Sequence, residues 1–81
     1  MVSFDKYEKF GDYHWQEYQA GGVYRQHANR VANWIQEDLI LDIGAGDGLI
    51  TSLIGAVGLD DNKTATRLAH QHGSDVIKAY A

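Results

Sequence analysis

Two short apolar runs on either side of a glycine-rich turn constrain the fold of this chain more than any other feature. Residues 39–43 read Leu-Ile-Leu-Asp-Ile, an apolar run without alternation. A strand covered on both faces, as in a parallel sheet, reads this way. Gly44-Ala45-Gly46-Asp47-Gly48 follows. Leu49, Ile50, Leu53 and Ile54 then fit two turns of helix, closed by Gly55. Residues 56–60, Ala-Val-Gly-Leu-Asp, form a second run of the same kind. Asn62 is placed to cap a helix over 63–72, with Gly73 as its stop. Residues 75–80, Asp-Val-Ile-Lys-Ala-Tyr, predict a third strand.

Upstream, Tyr24, Ala28, Val31 and Ile35 recur at helical spacing, with Trp34 beside them. This predicts a helix that covers the sheet, ended by Gln36-Glu37-Asp38. Helices and strands therefore alternate, which implies a parallel, right-handed α/β sheet. The expected architecture is a three-stranded parallel sheet in the order 3-2-1, with helices on both faces. Before Gly21-Gly22 the aromatics Phe4, Tyr7, Phe10, Tyr13, Trp15 and Tyr18 are interleaved with Asp5, Glu8, Asp12 and Glu17. A three-residue spacing drifts around a helix, so this segment predicts a short, imperfect helix or an irregular aromatic stretch. Residues 1–22 are read as an aromatic N-terminal cap, and residues 23–81 as the body of a single domain.

The chain has 81 residues and no cysteine, so disulfides and thiolate metal sites are excluded. Burial of apolar surface and ordering of the chain each come to roughly 120 kcal/mol and nearly cancel. Such a chain gains from a ligand, from association or from further polypeptide. In a sheet ordered 3-2-1, the flank of residues 39–43 carries unpaired N–H and C=O groups and no lysine or proline. Self-association through that edge or through apolar faces is therefore expected. Residues 4–18 folding back over the edge are the alternative cover.

Hydrophobic residues at 44% and charged residues at 22% are ordinary values for a globular chain. The net charge of −4 and the scattered basic residues argue against a nucleic-acid partner. The longest uncharged stretch, residues 48–59, is too short for a membrane span. The start, Met1-Val2-Ser3-Phe4-Asp5, has no basic region followed by an apolar core, so a cytoplasmic location is expected.

The chemistry is concentrated in residues 39–61. Glycines at the turn let a ligand approach the backbone, and the helix behind them begins with free N–H groups. An acid after the second strand stands at the carboxyl edge of the sheet, where it can accept ribose hydroxyls. The spacing excludes two nucleotide motifs. Leu49 stands where the third glycine of a dinucleotide fingerprint would be, and no Gly-Lys-Ser/Thr of a Walker A loop occurs. Asp42, two positions before the first glycine, would repel a pyrophosphate but attract an ammonium.

The segment "LILDIGAGDGLITSLIGAVGLDD" resembles motif I and the second strand of the class I S-adenosylmethionine-dependent methyltransferases. The resemblance implies a truncated Rossmann-like fold, the first, cofactor-binding half of such a domain, with S-adenosyl-L-methionine as cofactor. It implies that Asp42 lies near the methionine ammonium through backbone and water. Gly44 and Gly46, with Ala45 between them, would line the methionyl and ribosyl parts. Asp60 would bind the ribose hydroxyls, and Asp61 would lie against the adenine. Tyr13-His14-Trp15 resembles the N-terminal caps that many of these enzymes fold over the cofactor. In relatives, an acid near the end of the third strand often contacts the adenine amino group. Here Tyr80 stands about there.

The resemblance assigns no catalytic residue and no methyl acceptor. Simpler readings stand beside it. The glycine turn also suits a sterically tight strand-to-helix junction. Asp60 and Asp61 also suit helix N-terminal acids, and His14 a hydrogen-bonded histidine in an aromatic cluster or a base in the cap. His70 and His72 point different ways on a helix and form no metal pair. A small nucleoside-binding or assembly module without methyl transfer is the alternative function.

Overall fold

The computed structural model describes residues 5–36 and 39–79. Three helices come first: α1 (Lys6–Phe10), α2 (Tyr13–Ala20) and α3 (Val23–Trp34). Then β1 (Leu41–Ile43), α4 (Leu49–Ile54), β2 (Val57–Asp60), α5 (Lys63–Gln71) and β3 (Val76–Lys78) alternate. The strands form one parallel sheet in which β2 lies between β1 and β3. The α/β class and the parallel sheet expected from the sequence are both present.

Local chemistry sets the element ends. The Asp5 carboxylate accepts hydrogen bonds from Tyr7 N and Glu8 N and starts α1. The expected cap at Asn62 is formed: its side chain accepts from Ala65 N at 2.9 Å. The aromatic segment resolves into two short helices separated at Gly11-Asp12 rather than one drifting helix. The strands are shorter than expected. Leu39 is 95% exposed and precedes β1, and β3 ends at Lys78, although Ala79 N still donates to Asp60 O at 3.0 Å. Phe4, the helix-ending Glu37-Asp38 and Tyr80 lie outside the described residues.

The expectation of helices on both sheet faces is not met. In register, Asp42, Gly58 and Val76 share one face, and Leu41, Ile43, Val57, Leu59 and Ile77 share the other. Gly58 and Val76 are buried, and the Thr51 hydroxyl of α4 donates to the Asp42 carboxylate at 2.7 Å. The opposite face leaves Leu41, Ile43 and Ile77 more than half exposed. The cause is the hand of the crossovers. Two right-handed connections that step in the same direction place both helices on the same side.

The apolar stripe of α3 does not cover the sheet either. This helix packs against α2 and α4, only Ala28 is buried, and Val31 and Trp34 are exposed. The core is correspondingly small. Leu49, Leu68 and Val76 are joined by Ala28, Ala56, Ala65 and Ala69, and by the buried polar residues Asp47, Thr51, Thr66 and Ser74. Each polar member is satisfied: Thr66 donates to Asn62 O at 2.8 Å and Ser74 to Gly48 O at 2.7 Å. Among the described residues no helix is long and apolar enough to cross a membrane.

Candidate functional site

The glycine turn stands at the carboxyl ends of β1 and β2, where an open parallel sheet offers a crevice. It is tied to β2 by its backbone, because Gly44 N and Ala45 N both donate to Leu59 O, at 2.8 and 3.0 Å. Asp60 completes the junction. One carboxylate oxygen accepts from Gly46 N at 2.8 Å, and the other from Asn62 N at 2.8 Å. The end of β2, the turn after β1 and the start of α5 thus meet on one carboxylate. Each oxygen keeps a second lone pair, so Asp60 retains acceptor capacity toward a ligand.

Two cavities flank Gly44. The first, about 230 Å³, is lined by Asp42, Gly44, Ala45 and Asp47 from the turn and by Tyr7, His14 and Tyr24 from the N-terminal helices. The second, about 250 Å³, is lined by Ile43, Gly44, Leu59, Asp60, Asp61 and Ala79. Gly44 is the wall they share. A Cβ built there would meet nothing within 4 Å. Of the residues expected in the site, Asp42 and Ala45 fall on the first cavity and Asp60 and Asp61 on the second. Gly46 lies on neither. It is buried, its φ is +60°, and a Cβ there would collide with the Tyr7 hydroxyl.

The N-terminal helices are hooked to the turn through Asp47, which the sequence reading missed. Asp47 is almost fully buried. Its carboxylate accepts from the His14 backbone N–H at 3.2 Å and pairs with His14 Nδ1 at 3.1 Å. A carboxylate only accepts, so Nδ1 is the donor. The Trp15 indole N–H donates to Asp47 O at 2.7 Å. The Tyr7 hydroxyl stands 3.5 Å from His14 Nδ1, and the Tyr13 ring lies 4.2 Å from the His14 ring. His14 is therefore a hydrogen-bonded histidine in an aromatic cluster.

A second set of hooks reaches α5. His72 Nε2 pairs with the Asp12 carboxylate, the Trp15 ring stacks on His72 at 4.0 Å, and Asn62 donates to Asp5 at 3.2 Å. His70 instead pairs with Val76 O, and no cluster of three metal-ligating side chains occurs among the described residues. A third hollow, about 480 Å³, is lined by α1 and α2 residues alone, among them Phe10 and Tyr13.

The charge of Asp47 is felt across the first cavity. Burial, and then the Asp47 carboxylate, push the Tyr7 phenol well above its ordinary 10.0. Burial followed by Asp47 also raises Tyr24. Burial alone would raise the Asp12 carboxyl. Hydrogen bonds from Gln16 and His72, with the charge of His72 when protonated, outweigh that and hold it below 3.8. Among the described residues no lysine or arginine lines either cavity. The site thus carries two acids on each side of Gly44, with aromatic rings beside Leu49 and Ile50 on one side and only aliphatic residues on the other.

Asp47 had one visible signal, an acid inside a glycine run where a solvated turn would be expected. Its partners stand some thirty residues away, so the pairing itself had none. No protein-family model matches the sequence, no curated protein matches it, and no solved structure matches the fold.

Proposed function

We propose that this chain is the S-adenosyl-L-methionine-binding portion of a class I methyltransferase, the front half of a Rossmann-like domain with strands ordered 3-2-1. One observation carries the reading: two cavities, each lined by two aspartates, lie on either side of Gly44, which lines both and carries no side chain to divide them. An S-adenosyl ligand is long and has two unlike ends, and this shape suits it. The nucleoside end fits the second cavity, with Leu59 as apolar wall, Asp60 for the ribose hydroxyls and Asp61 toward the base. The amino-acid end fits the first, where Asp42 and Asp47 supply negative charge for its ammonium.

When bound, the cofactor supplies an electrophilic methyl group on a sulfonium. The residues of this chain hold and orient it. Asp42 is itself held by the Thr51 hydroxyl, and Asp60 by two backbone N–H groups, so both carboxylates are fixed in place. The methyl acceptor is left open, and no side chain is assigned to proton transfer.

Titration calorimetry with S-adenosylhomocysteine, followed by amide shift mapping, tests the proposal. Saturable binding with shifts at residues 42–48 and 59–61 is expected. No shift at millimolar ligand overturns it. Binding of adenosine as tight as that of S-adenosylhomocysteine would instead favour a plain nucleoside-binding module.

A further inference from the structure

His14 lines the first cavity and belongs to none of the ligand contacts above. It engages both oxygens of the Asp47 carboxylate, one through its backbone N–H at 3.2 Å and the other through Nδ1 at 3.1 Å. At 1% exposure that carboxylate offers a ligand little surface, whereas the His14 side chain is 33% exposed. The negative charge of Asp47 therefore reaches the cavity through the imidazole. Because Nδ1–H is donated to Asp47, a neutral ring carries its lone pair on Nε2. Among the described residues no hydrogen bond is made to Nε2. A hydrogen-bond acceptor thus stands at the cavity wall, oriented by a buried carboxylate and without a partner among those residues.

An ammonium donates three N–H groups and needs an acceptor for each. Asp42 lines the same cavity, with one oxygen already accepting from the Thr51 hydroxyl. We propose that His14 Nε2 accepts from the amine of an S-adenosyl ligand, so that the first cavity selects ligands that carry this amine and takes them only while the imidazole is neutral. This rests on the S-adenosyl reading and adds the residue that tells such a ligand from a bare nucleoside. A proton on Nε2 turns the acceptor into a donor and sets a positive charge against that of the ligand. The imidazolium also offsets the Asp47 charge that the ammonium would meet. Proton and ammonium are therefore alternatives, and each lowers the affinity of the other by the same factor. The groups facing the ring are Asp47 from the turn, the Tyr7 hydroxyl of α1 at 3.5 Å from Nδ1, the Tyr13 ring of α2 at 4.2 Å and the Tyr24 ring of α3 at 6.2 Å. Burial and then Asp47 push the Tyr7 and Tyr24 phenols up, so both stay neutral where an imidazole exchanges its proton.

Titration calorimetry at about pH 8 and about pH 5.5 tests this, with S-adenosylhomocysteine, its decarboxylated analogue and adenosine as ligands. S-adenosylhomocysteine should bind at least about tenfold more weakly at the lower pH. The decarboxylated analogue keeps the amine and should weaken likewise. Adenosine lacks the amine and should not. His14→Asn sets an amide N–H near the position of Nδ1, which keeps the bond to Asp47, and removes Nε2. It should weaken S-adenosylhomocysteine at about pH 8 and abolish the pH dependence. Equal affinity of S-adenosylhomocysteine at the two pH values overturns the proposal and leaves the S-adenosyl reading standing. Tighter binding at the lower pH does the same, because it would put the ligand carboxylate on His14. A pH dependence that survives His14→Asn also overturns it. No binding of S-adenosylhomocysteine at either pH overturns both.

Discussion

The Tyr7 hydroxyl stands over Gly46, in the space that a side chain at that position would need. The aromatic N-terminal helices are therefore keyed to the glycine turn by the absence of one Cβ. This changes the reason for glycine at Gly46: the room is taken by Tyr7 and not left for a ligand. Gly46→Ala is expected to cost about 1–3 kcal/mol, from the collision and from a left-handed backbone that alanine dislikes. Tyr7→Ala in the same chain should return the collision part only. Urea unfolding of the two single variants and the double variant measures the coupling.

Asp47 holds His14 with a buried carboxylate. Asp47→Asn keeps the shape and loses the charge, and is expected to lower stability by about 1–3 kcal/mol. The same change should ease ionisation of Tyr7, because Asp47 is the second cause that holds that phenol neutral. Tyrosinate absorbance during alkaline titration reads this directly. An unchanged titration would remove Asp47 from the account of Tyr7.

The alkaline limb of stability should belong to Tyr7 and Tyr24. Both are raised above 10.0 in the folded chain. Their contribution is complete below that value and is lost as pH rises through it, because the unfolded chain ionises first. Tyr7→Phe with Tyr24→Phe is expected to flatten the fall in urea midpoint above about pH 10.

Asp12 has the opposite sign. Its folded value lies below 3.8, so its contribution is complete above that value and disappears as pH falls through the lower one. It is partly exposed, so the effect is small, at most about 1 kcal/mol. Asp12→Asn should reduce the loss of stability between about pH 4 and pH 2. It should also loosen the stacking of Trp15 on His72, visible in tryptophan emission.

The strand, turn, helix and strand at residues 39–60 were legible because local rules act there: apolar runs, glycine punctuation and an Asn62 cap. The bare sheet face was not. Leu-Ile-Leu-Asp-Ile reads the same whether Leu41 and Ile43 meet a helix or water, since the pattern records hydrophobicity and not what covers it. The hand of the crossovers was available and decides the matter, but it acts on topology and not on any residue. Val31 and Trp34 misled in the same way, as an apolar stripe that α3 leaves largely uncovered. Asp42 and Gly44, at the end of β1, and Asp60, at the end of β2, belong to the locally patterned stretch. Tyr7, Asp47 and Tyr24 converge only through tertiary contact.

Neither α1 nor α2 contributes a buried residue; α2 packs along α3, where the Tyr18 hydroxyl donates to Asn29 Oδ1 at 2.7 Å, and the two helices reach the glycine turn and α5 through Asp5, Tyr7, Asp12, His14 and Trp15. The sheet and α5, by contrast, share one packed interior around Leu49, Leu68 and Val76. The chain is therefore built in two strengths. The helices α1 and α2 can open from the glycine turn, with α3 where α2 packs on it, at the loss of polar and ring contacts rather than of buried apolar core, while the parallel sheet behind them stays folded.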